Sequence, residues 1–128
     1  MKHVLIVDDS ASIRQRLITL LAESPQIRIV GEAGDSREAL DSMARVQPDT
    51  VILDIRMPGG SGIELLKQIK SRYPEMRVIM LTNFDYAAYR RQCHQLGADH
   101  FLNKTLEFEK IIDTVLEDRT SLRKPNGV

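Results

Sequence analysis

Apolar residues along the chain fall into short unbroken runs that are separated by longer stripes at helical spacing. Unbroken runs occupy residues 4–7, 51–53 and 78–81, and polar or turn-forming residues follow each of them. Such runs are typical of parallel strands that are buried on both faces of a sheet. A diluted run at residues 27–30 and a short one at residues 101–102 suit sheet edges. The pattern therefore predicts three central strands and two edge strands.

Apolar positions that recur every three or four residues predict a helix after each strand. The second helix has two candidate N-caps, Asp35 and Ser36, and Asp35 has the spacing of a capping box with Glu38. The stripe at residues 85–97 is the weakest, and the last one is the clearest. The stripes are Ile13, Leu17, Leu20 and Leu21; Leu40, Met43 and Ala44; Ile63, Leu66 and Ile69; Tyr89, Cys93 and Leu96; and Phe108, Ile111, Ile112, Val115 and Leu116. This alternation indicates the α/β class, with a parallel sheet covered on both faces.

Length and composition restrict the class of protein further. The 128 residues suffice for one domain with a buried core, which we expect at residues 1–119, followed by a flexible tail at 120–128. Eighteen Lys and Arg balance eighteen Asp and Glu, so net charge gives no reason to expect nucleic-acid or membrane binding by this domain. One cysteine excludes an internal disulfide, and no apolar run reaches the roughly 20 residues that span a bilayer. We therefore expect a cytoplasmic protein.

Polar side chains follow four of the predicted strands at the point where each strand ends. Asp8 and Asp9 follow the first strand, Asp54 the third, Thr82 the fourth and Lys104 the fifth. Taken singly, each has an ordinary structural explanation, such as a helix cap, a helix-dipole partner or a solvated loop residue. The carboxyl ends of parallel strands, however, meet at the edge of the sheet where open α/β folds bind ligands. The sequence therefore predicts that these side chains share one crevice.

The chemistry of this set favours a phosphoryl acceptor that works with a cation. Three neighbouring carboxylates raise one another's pKa unless a cation lies between them, and oxygen ligands suit a hard ion such as Mg²⁺. A carboxylate can attack phosphorus and form an aspartyl phosphate. A lysine can neutralise the phosphoryl oxygens, and a hydroxyl can donate a hydrogen bond to one of them.

These motifs resemble the receiver domain of the two-component response regulators, over about residues 2–119. The resemblance rests on Asp8-Asp9, on Leu53-Asp54-Ile55-Arg56-Met57-Pro58-Gly59, on Leu81-Thr82 and on Phe101-Leu102-Asn103-Lys104. It implies a flavodoxin-like, doubly wound sheet of five parallel strands in the order 2-1-3-4-5, with five helices. It also implies a phosphorylation-controlled switch that is not an enzyme beyond its own phosphorylation and dephosphorylation.

The resemblance implies a role for each residue of the set. Asp54 is the expected phosphoacceptor, with a histidine kinase or a histidine phosphotransfer protein as donor. Mg²⁺ is the expected cofactor, bound directly by Asp9 and Asp54 and through water by Asp8. Phosphorylation is expected to change the surface formed by the fourth helix, the fifth strand and the fifth helix. The remaining expected roles are a Mg²⁺ ligand at the backbone carbonyl of Arg56, phosphoryl contacts at Thr82 and Lys104, and switch positions at Thr82 and Phe101.

The sequence departs from the family pattern around Lys104. Thr105 follows it where the family usually has a proline that is reached through a cis peptide. A cis bond before a non-proline residue costs roughly 2.5–4 kcal/mol, so we expect a trans peptide here, or a cis one with visible compensation. Phe101 lacks the hydroxyl of the commoner tyrosine, so a hydrogen bond from its ring cannot hold its outward state.

Two large side chains lie two residues after site residues. Arg56 follows Asp54 at this spacing, and Phe84 follows Thr82. We hypothesise that these two side chains screen the phosphoryl group from water and set how long it lasts.

Two other functions remain open on the sequence alone. One is a Mg²⁺-dependent hydrolase similar to the haloacid dehalogenase group, in which a second aspartate two residues after the nucleophile acts as acid and base. Arg56 occupies that position, and a guanidinium group does not titrate usefully. The other is an unphosphorylated interaction module built on the same fold.

The output of the domain also stays open. Residues 30–35 resemble receivers that usually carry a helix-turn-helix output domain. The chain is therefore expected to be either a stand-alone receiver or a piece of a longer regulator. The resemblance implies a downstream protein target and is compatible with a homodimer.

Overall fold

Five parallel strands form the central sheet of the computed structural model, which describes residues 1–117. The strands are β1 (Lys2–Val7), β2 (Ile27–Ala33), β3 (Thr50–Leu53), β4 (Arg77–Thr82) and β5 (His100–Asn103), in the order β2-β1-β3-β4-β5. The predicted order and parallel pairing are confirmed. The predicted tail at 120–128 and the last two residues of the predicted domain lie outside the described residues.

Five helices flank the sheet. They are α1 (Ala11–Leu21), α2 (Ser36–Val46), α3 (Gly62–Arg72), α4 (Ala87–Gln95) and α5 (Ile111–Leu116). A turn of 3₁₀-helix at Phe108–Lys110 leads into α5, so the predicted last helix begins in the tighter form that is frequent at helix N-termini. An antiparallel pair of two-residue strands, Arg56–Met57 with Gly60–Ser61, was not predicted from the sequence.

Alternate residues of the central strands face opposite sides of the sheet, so the core has two halves. Leu5 and Val51 belong to the half that packs against α2, α3 and α4. Val4 and Ile52 belong to the half that packs against α1 and α5. Both faces of the sheet are therefore covered, as in a doubly wound α/β fold. Strands β3 and β4 are buried along their whole length, whereas the edge strands β2 and β5 are largely half-buried.

The helix ends agree with most of the capping signals. The carboxylate of Asp35 caps α2 by accepting from the Glu38 N–H at 2.8 Å, and Ser36 is the first helical residue. The Glu38 carboxylate reaches back to the N–H of Gly34 at 2.7 Å, one residue before the partner that a capping box requires. α4 is shorter than predicted because residues 83–86 form the loop that follows β4.

No helix within residues 1–117 is both long enough and apolar enough to cross a membrane.

Candidate functional site

The carboxyl edge of the sheet brings together side chains that are far apart in sequence. Asp8 follows β1, Asp54 follows β3 and Lys104 follows β5. The ammonium nitrogen of Lys104 lies 2.7 Å from Oδ2 of Asp8 and 2.6 Å from Oδ2 of Asp54. The three side chains are only 9%, 4% and 7% exposed, in the order Lys104, Asp8, Asp54. The predicted crevice is therefore present, and a largely buried lysine side chain bridges two of its carboxylates.

A third carboxylate completes an acidic cluster. Asp8, Asp9 and Asp54 each offer an oxygen, and these oxygens lie within 4.8 Å of one another. Asp9 is exposed, whereas the other two are buried. Three formal negative charges face one lysine at this point, and all three donors are carboxylate oxygens. This donor set fits a hard divalent cation with room for water ligands.

Main-chain N–H groups orient the two buried carboxylates. The N–H of Ser10 donates to Oδ1 of Asp8 at 2.9 Å, and the N–H of Ile55 donates to Oδ1 of Asp54 at 2.7 Å. In each carboxylate the other oxygen, Oδ2, accepts from Lys104. Local turn geometry therefore aims both side chains into the crevice before any ligand binds.

Burial and pairing change the proton affinities within the cluster. Burial raises the pKa of Asp8 above its usual value of 3.8, although the hydrogen bond from Lys104 opposes this rise. Burial also disfavours the charged form of Lys104, but its hydrogen bonds to Asp54 and Asp8 outweigh burial and raise the pKa of the ammonium group. The lysine therefore stays charged, and the cluster retains a net negative charge that a second cation can neutralise.

The loop after β3 folds back onto the backbone of Asp54. The N–H of Gly62 donates to the carbonyl of Ile55 at 2.5 Å. A Cβ atom at Gly62 would lie 1.8 Å from the carbonyl oxygen of Asp54, a distance that only glycine avoids without moving the backbone. Gly62 thus permits the close return of the chain that supports the Asp54 backbone. Sequence reasoning missed this role, because the clash arises from a contact between two loop segments.

Arg56 and Phe84 lie at the mouth of the site, as their spacing suggested. The Arg56 guanidinium carbon lies 4.8 Å from the centroid of the Phe84 ring, within the range of a cation–π contact. Both side chains line an open cavity of about 410 Å³ together with Asp9 and Asp54. A larger open cavity of about 560 Å³ lies near α1 and Phe108, away from all of these residues.

Thr82 ends β4 and is fully buried. Its hydroxyl oxygen accepts from the N–H of Phe84 at 3.1 Å, and its carbonyl accepts from the N–H of Lys104 at 2.9 Å. Thr82 thus forms hydrogen bonds with two segments: the backbone at Lys104 and the loop that contains Phe84. The predicted residues Asp8, Asp9, Asp54 and Lys104 form the cluster itself, and Thr82 lies on the neighbouring strand end.

Phe101 is half-buried in β5, and a charged side chain covers its ring. The Arg90 guanidinium carbon lies 4.7 Å from the ring centroid, and the same guanidinium group pairs with the carboxylates of Asp85 and Glu107. The pairing with Arg90 lowers the pKa of Asp85 below its usual value. Phe101 cannot donate a hydrogen bond, but Arg90 supplies a contact that holds its ring. This contact could not be predicted from the sequence pattern, because it joins α4 to β5.

The peptide between Lys104 and Thr105 is trans, since the described residues contain no cis peptide. The first of the two expectations for this bond is therefore confirmed.

Comparison with known proteins identifies the family of the chain. Residues 4–116 match the sequence model of the response regulator receiver domain. The chain is 40% identical over 84 residues to the DNA-binding transcriptional activator DevR/DosR of Mycobacterium tuberculosis. The alignment covers 66% of this chain and 39% of that protein. It is 40% identical over 116 residues to protein-glutamate methylesterase/protein-glutamine glutaminase 1 of Carboxydothermus hydrogenoformans. This alignment covers 89% of the present chain and 34% of that protein.

Solved structures support the same fold. The signal receiver domain of the putative response regulator NarL from Mycobacterium tuberculosis superposes with a TM-score of 0.84 at 30% identity, over 97% of this chain and 98% of that one. A chain of the CheX-CheY-BeF3-Mg+2 complex from Borrelia burgdorferi superposes with a TM-score of 0.81 at 32% identity, over 90% of this chain and 87% of that one.

The chain spans only 34–39% of the length of the two curated relatives named above. The activities in their names belong to those whole proteins.

Proposed function

Because the chain belongs to the response regulator receiver domain family, whose members are components of two-component signalling, we propose that Asp54 accepts a phosphoryl group and thereby switches the conformation of this domain. The observation that carries the proposal is the bridge from the Lys104 ammonium to Asp8 and Asp54, beside an open cavity and a third carboxylate. This arrangement offers a nucleophile, a fixed positive charge and a cation site within one crevice. The proposal treats residues 1–119 as the receiver domain.

The chemical step is an in-line transfer to a carboxylate. An oxygen of Asp54 forms a bond to phosphorus while the bond from phosphorus to the donor's imidazole nitrogen breaks, and that nitrogen keeps the electron pair and takes up a proton. Lys104 lies within hydrogen-bond distance of Asp54 Oδ2, so it can follow the charge onto the phosphoryl oxygens. Thr82 supplies a hydroxyl at the adjacent strand end.

Mg²⁺ suits the acidic cluster and would supply charge neutralisation for the phosphoryl oxygens when bound. Asp9 and Asp54 are the proposed direct ligands, with Asp8 acting through water and the backbone carbonyl of Arg56 completing the protein set. The exposure of Asp9 supports this division, because an open carboxylate leaves room for water around the ion.

The phosphoryl group adds about −1.5 to −2 charges beside Thr82. We expect Thr82 to move toward it and Phe101 to turn inward, which changes the surface of α4, β5 and α5. The proposed donor is a histidine kinase or a histidine phosphotransfer protein, and the receiver passes its state to a protein target. The single cysteine, Cys93, fits a reducing compartment, so the proposal places the domain in the cytoplasm.

The test uses beryllofluoride, a phosphoryl analogue, with Mg²⁺, and follows amide shifts by NMR. The parent is expected to show shifts in β4, α4 and β5, and Asp54→Asn is expected to show none of them. Asp49→Asn is the matched control, since Asp49 lies at the other end of β3, and it should respond like the parent. Shifts that persist in Asp54→Asn would contradict phosphorylation at this residue. A parent that does not respond would favour the unphosphorylated interaction module.

A further inference from the structure

The turn that carries Lys104 is capped by the side chain of the preceding residue. Oδ1 of Asn103 accepts hydrogen bonds from the N–H groups of Thr105 and Leu106, both at 2.9 Å. Thr105 and Leu106 follow Lys104 in the sequence, and Asn103 precedes it. The hydrogen bonds of the Asn103 side chain therefore bridge the residues on either side of the lysine. An asparagine that bonds to the backbone two and three residues later fixes a tight turn.

The main chain of Asn103 makes a second set of bonds across the same turn. Its N–H donates to Oε1 of Glu107 at 2.9 Å, and its carbonyl accepts from the N–H of Glu107 at 2.8 Å. The N–H of Lys104 itself bonds to the carbonyl of Thr82 at 2.9 Å. The backbone of Lys104 is thus held to β4 on one side and by the Asn103 cap on the other.

Two further bonds join this turn to the loop after β4. The hydroxyl of Thr105 donates to Oδ1 of Asn83 at 2.8 Å, and Nδ2 of Asn103 donates to Oδ2 of Asp85 at 3.2 Å. Asp85 in turn pairs with Arg90, whose guanidinium covers the ring of Phe101. A chain of hydrogen bonds, an ion pair and a cation–π contact therefore connects the turn that carries the lysine to the ring of Phe101.

We infer that Asn103 is a positioning residue for Lys104, and that its side-chain carbonyl together with the Thr105 hydroxyl replaces the proline that the family usually has after this lysine. The inference rests on the proposed function. Thr105 has no proline ring to fix its backbone φ angle, and the side-chain hydrogen bonds supply that constraint instead. The side-chain nitrogen of Asn103, Nδ2, connects the same turn to Asp85 and, through Arg90, to Phe101.

The inference predicts effects of opposite sign on two ligands. A lysine released from its turn no longer neutralises Asp8 and Asp54, so the acidic cluster becomes more negative and binds Mg²⁺ more tightly. The same released lysine no longer contacts the phosphoryl group, so a phosphoryl analogue binds more weakly. General damage to the domain would weaken the binding of both ligands. Opposite changes in the two affinities therefore distinguish a positioning role from a purely structural one.

The experiment compares Asn103→Ala with the parent by titrating Mg²⁺ alone and then beryllofluoride at saturating Mg²⁺. We expect the apparent affinity for beryllofluoride to fall about tenfold, the factor that corresponds to ~1.4 kcal/mol. We expect the affinity for Mg²⁺ to rise about threefold, because one positive charge leaves the cluster. Asn103→Ser keeps a hydroxyl acceptor for the same turn and should restore most of the parent behaviour.

Ser24→Ala is the matched control. Its hydroxyl accepts from the N–H of Gln26 at 3.3 Å in a turn at the other end of the sheet, so it loses a similar bond without touching the site. Unchanged binding of both ligands in Asn103→Ala, or weaker binding of both, would overturn the inference. Should Asn103→Ala fail to fold, Thr105→Val removes the bond to Asn83 and is judged by the same two criteria. A parent that binds no beryllofluoride would instead overturn the proposed function.

Discussion

Two largely buried lysine side chains pair with aspartates at opposite ends of the sheet. At the amino end, Nζ of Lys70 lies 3.1 Å from Oδ2 of Asp99 and 2.5 Å from the carbonyl of Met76. The same Asp99 oxygen accepts from the N–H of Val78 at 2.9 Å. At the carboxyl end, Lys104 lies between Asp8 and Asp54. The side chains of all five residues in these three ion pairs are at most 13% exposed.

The difference between the two ends lies in what balances the charges. Asp99 is shared between an ammonium group and the backbone, so the pair fastens α3 to the starts of β4 and β5. Lys104 faces three carboxylates, including the exposed Asp9, so negative charge remains in excess. The lysine side chains at the two ends are buried to a similar degree. The contact at the amino end is structural, whereas the excess negative charge at the carboxyl end can accept a cation and a phosphoryl group.

The largest effect on stability is expected from Lys70→Met. This change removes the Lys70 ammonium group from the largely buried carboxylate of Asp99, a loss of about 3–5 kcal/mol in the free energy of unfolding. Urea denaturation measures it, and Lys67→Met on the exposed face of α3 is the control. Mg²⁺ affinity should not change in either variant. A loss below that of an ordinary surface substitution would remove the contrast between the two ends.

Without Mg²⁺, Lys104→Met is expected to cost about 3 kcal/mol, near the lower end of the range for Lys70→Met, because it takes the cation away from the two buried carboxylates of Asp8 and Asp54. Mg²⁺ should bind more tightly than in the parent and should restore most of the lost stability. Denaturation with and without Mg²⁺ tests this, together with the beryllofluoride response, which should disappear. The comparison fails if Mg²⁺ stabilises Lys104→Met less than it stabilises the parent.

The lifetime of the phosphoryl group is expected to depend on Arg56 and Phe84. Their stacked side chains line the cavity beside Asp54, so Arg56→Ala and Phe84→Ala should each admit water and shorten the half-life severalfold. The decay of phosphorylated protein after removal of the donor gives the half-life, and Arg72→Ala at the end of α3 serves as control. Unchanged half-lives in both variants would refute the screening role.

The smallest expected effect is on the pH dependence of stability, through His100 at the amino end of β5. Burial, with a contribution from Arg77, lowers the pKa of His100 below its usual 6.5, although the nearby carboxylates of Glu117 and Asp99 oppose this. The folded protein therefore binds fewer protons at this group than the unfolded chain. Its contribution to stability is present above about pH 6.5 and is lost as pH falls through that value toward the lower folded pKa.

Replacing His100 with glutamine should flatten the pH dependence of the unfolding free energy in this window, and His94→Gln on the exposed surface should leave it as in the parent. Equal slopes in the parent and in His100→Gln would show that burial of His100 is not linked to stability.

Much of the fold follows from single-residue patterns. The unbroken runs at residues 4–7, 51–53 and 78–81 identify central strands, because a strand covered on both faces has no polar side. The dilution of β2 and the shortness of β5 identify the edges for the same reason. The position of Asp8, Asp54 and Lys104 after strands then follows from the parallel arrangement of the sheet.

Features that depend on contact between distant segments could not be predicted. The glycine requirement at Gly62 arises where the loop returns to the Asp54 backbone. The cover of Phe101 by Arg90 needs the packing of α4 on β5. The cap formed by Asn103 is local, but its bond to Asp85 joins residues 18 positions apart. A pattern of hydrophobic positions carries no information on such polar contacts.

The central claim is that Asp54 is the phosphoacceptor, and mapping the modified residue tests it most directly. The protein is incubated with Mg²⁺ and phosphoramidate, the acyl phosphate is reduced with borohydride, and the modified peptide is sequenced by mass spectrometry. The reduction converts a phosphorylated aspartate to homoserine and releases phosphate, so the account predicts homoserine at position 54 of the parent and no homoserine in Asp54→Asn. Homoserine at position 8 or 9, or an unmodified parent, would contradict it.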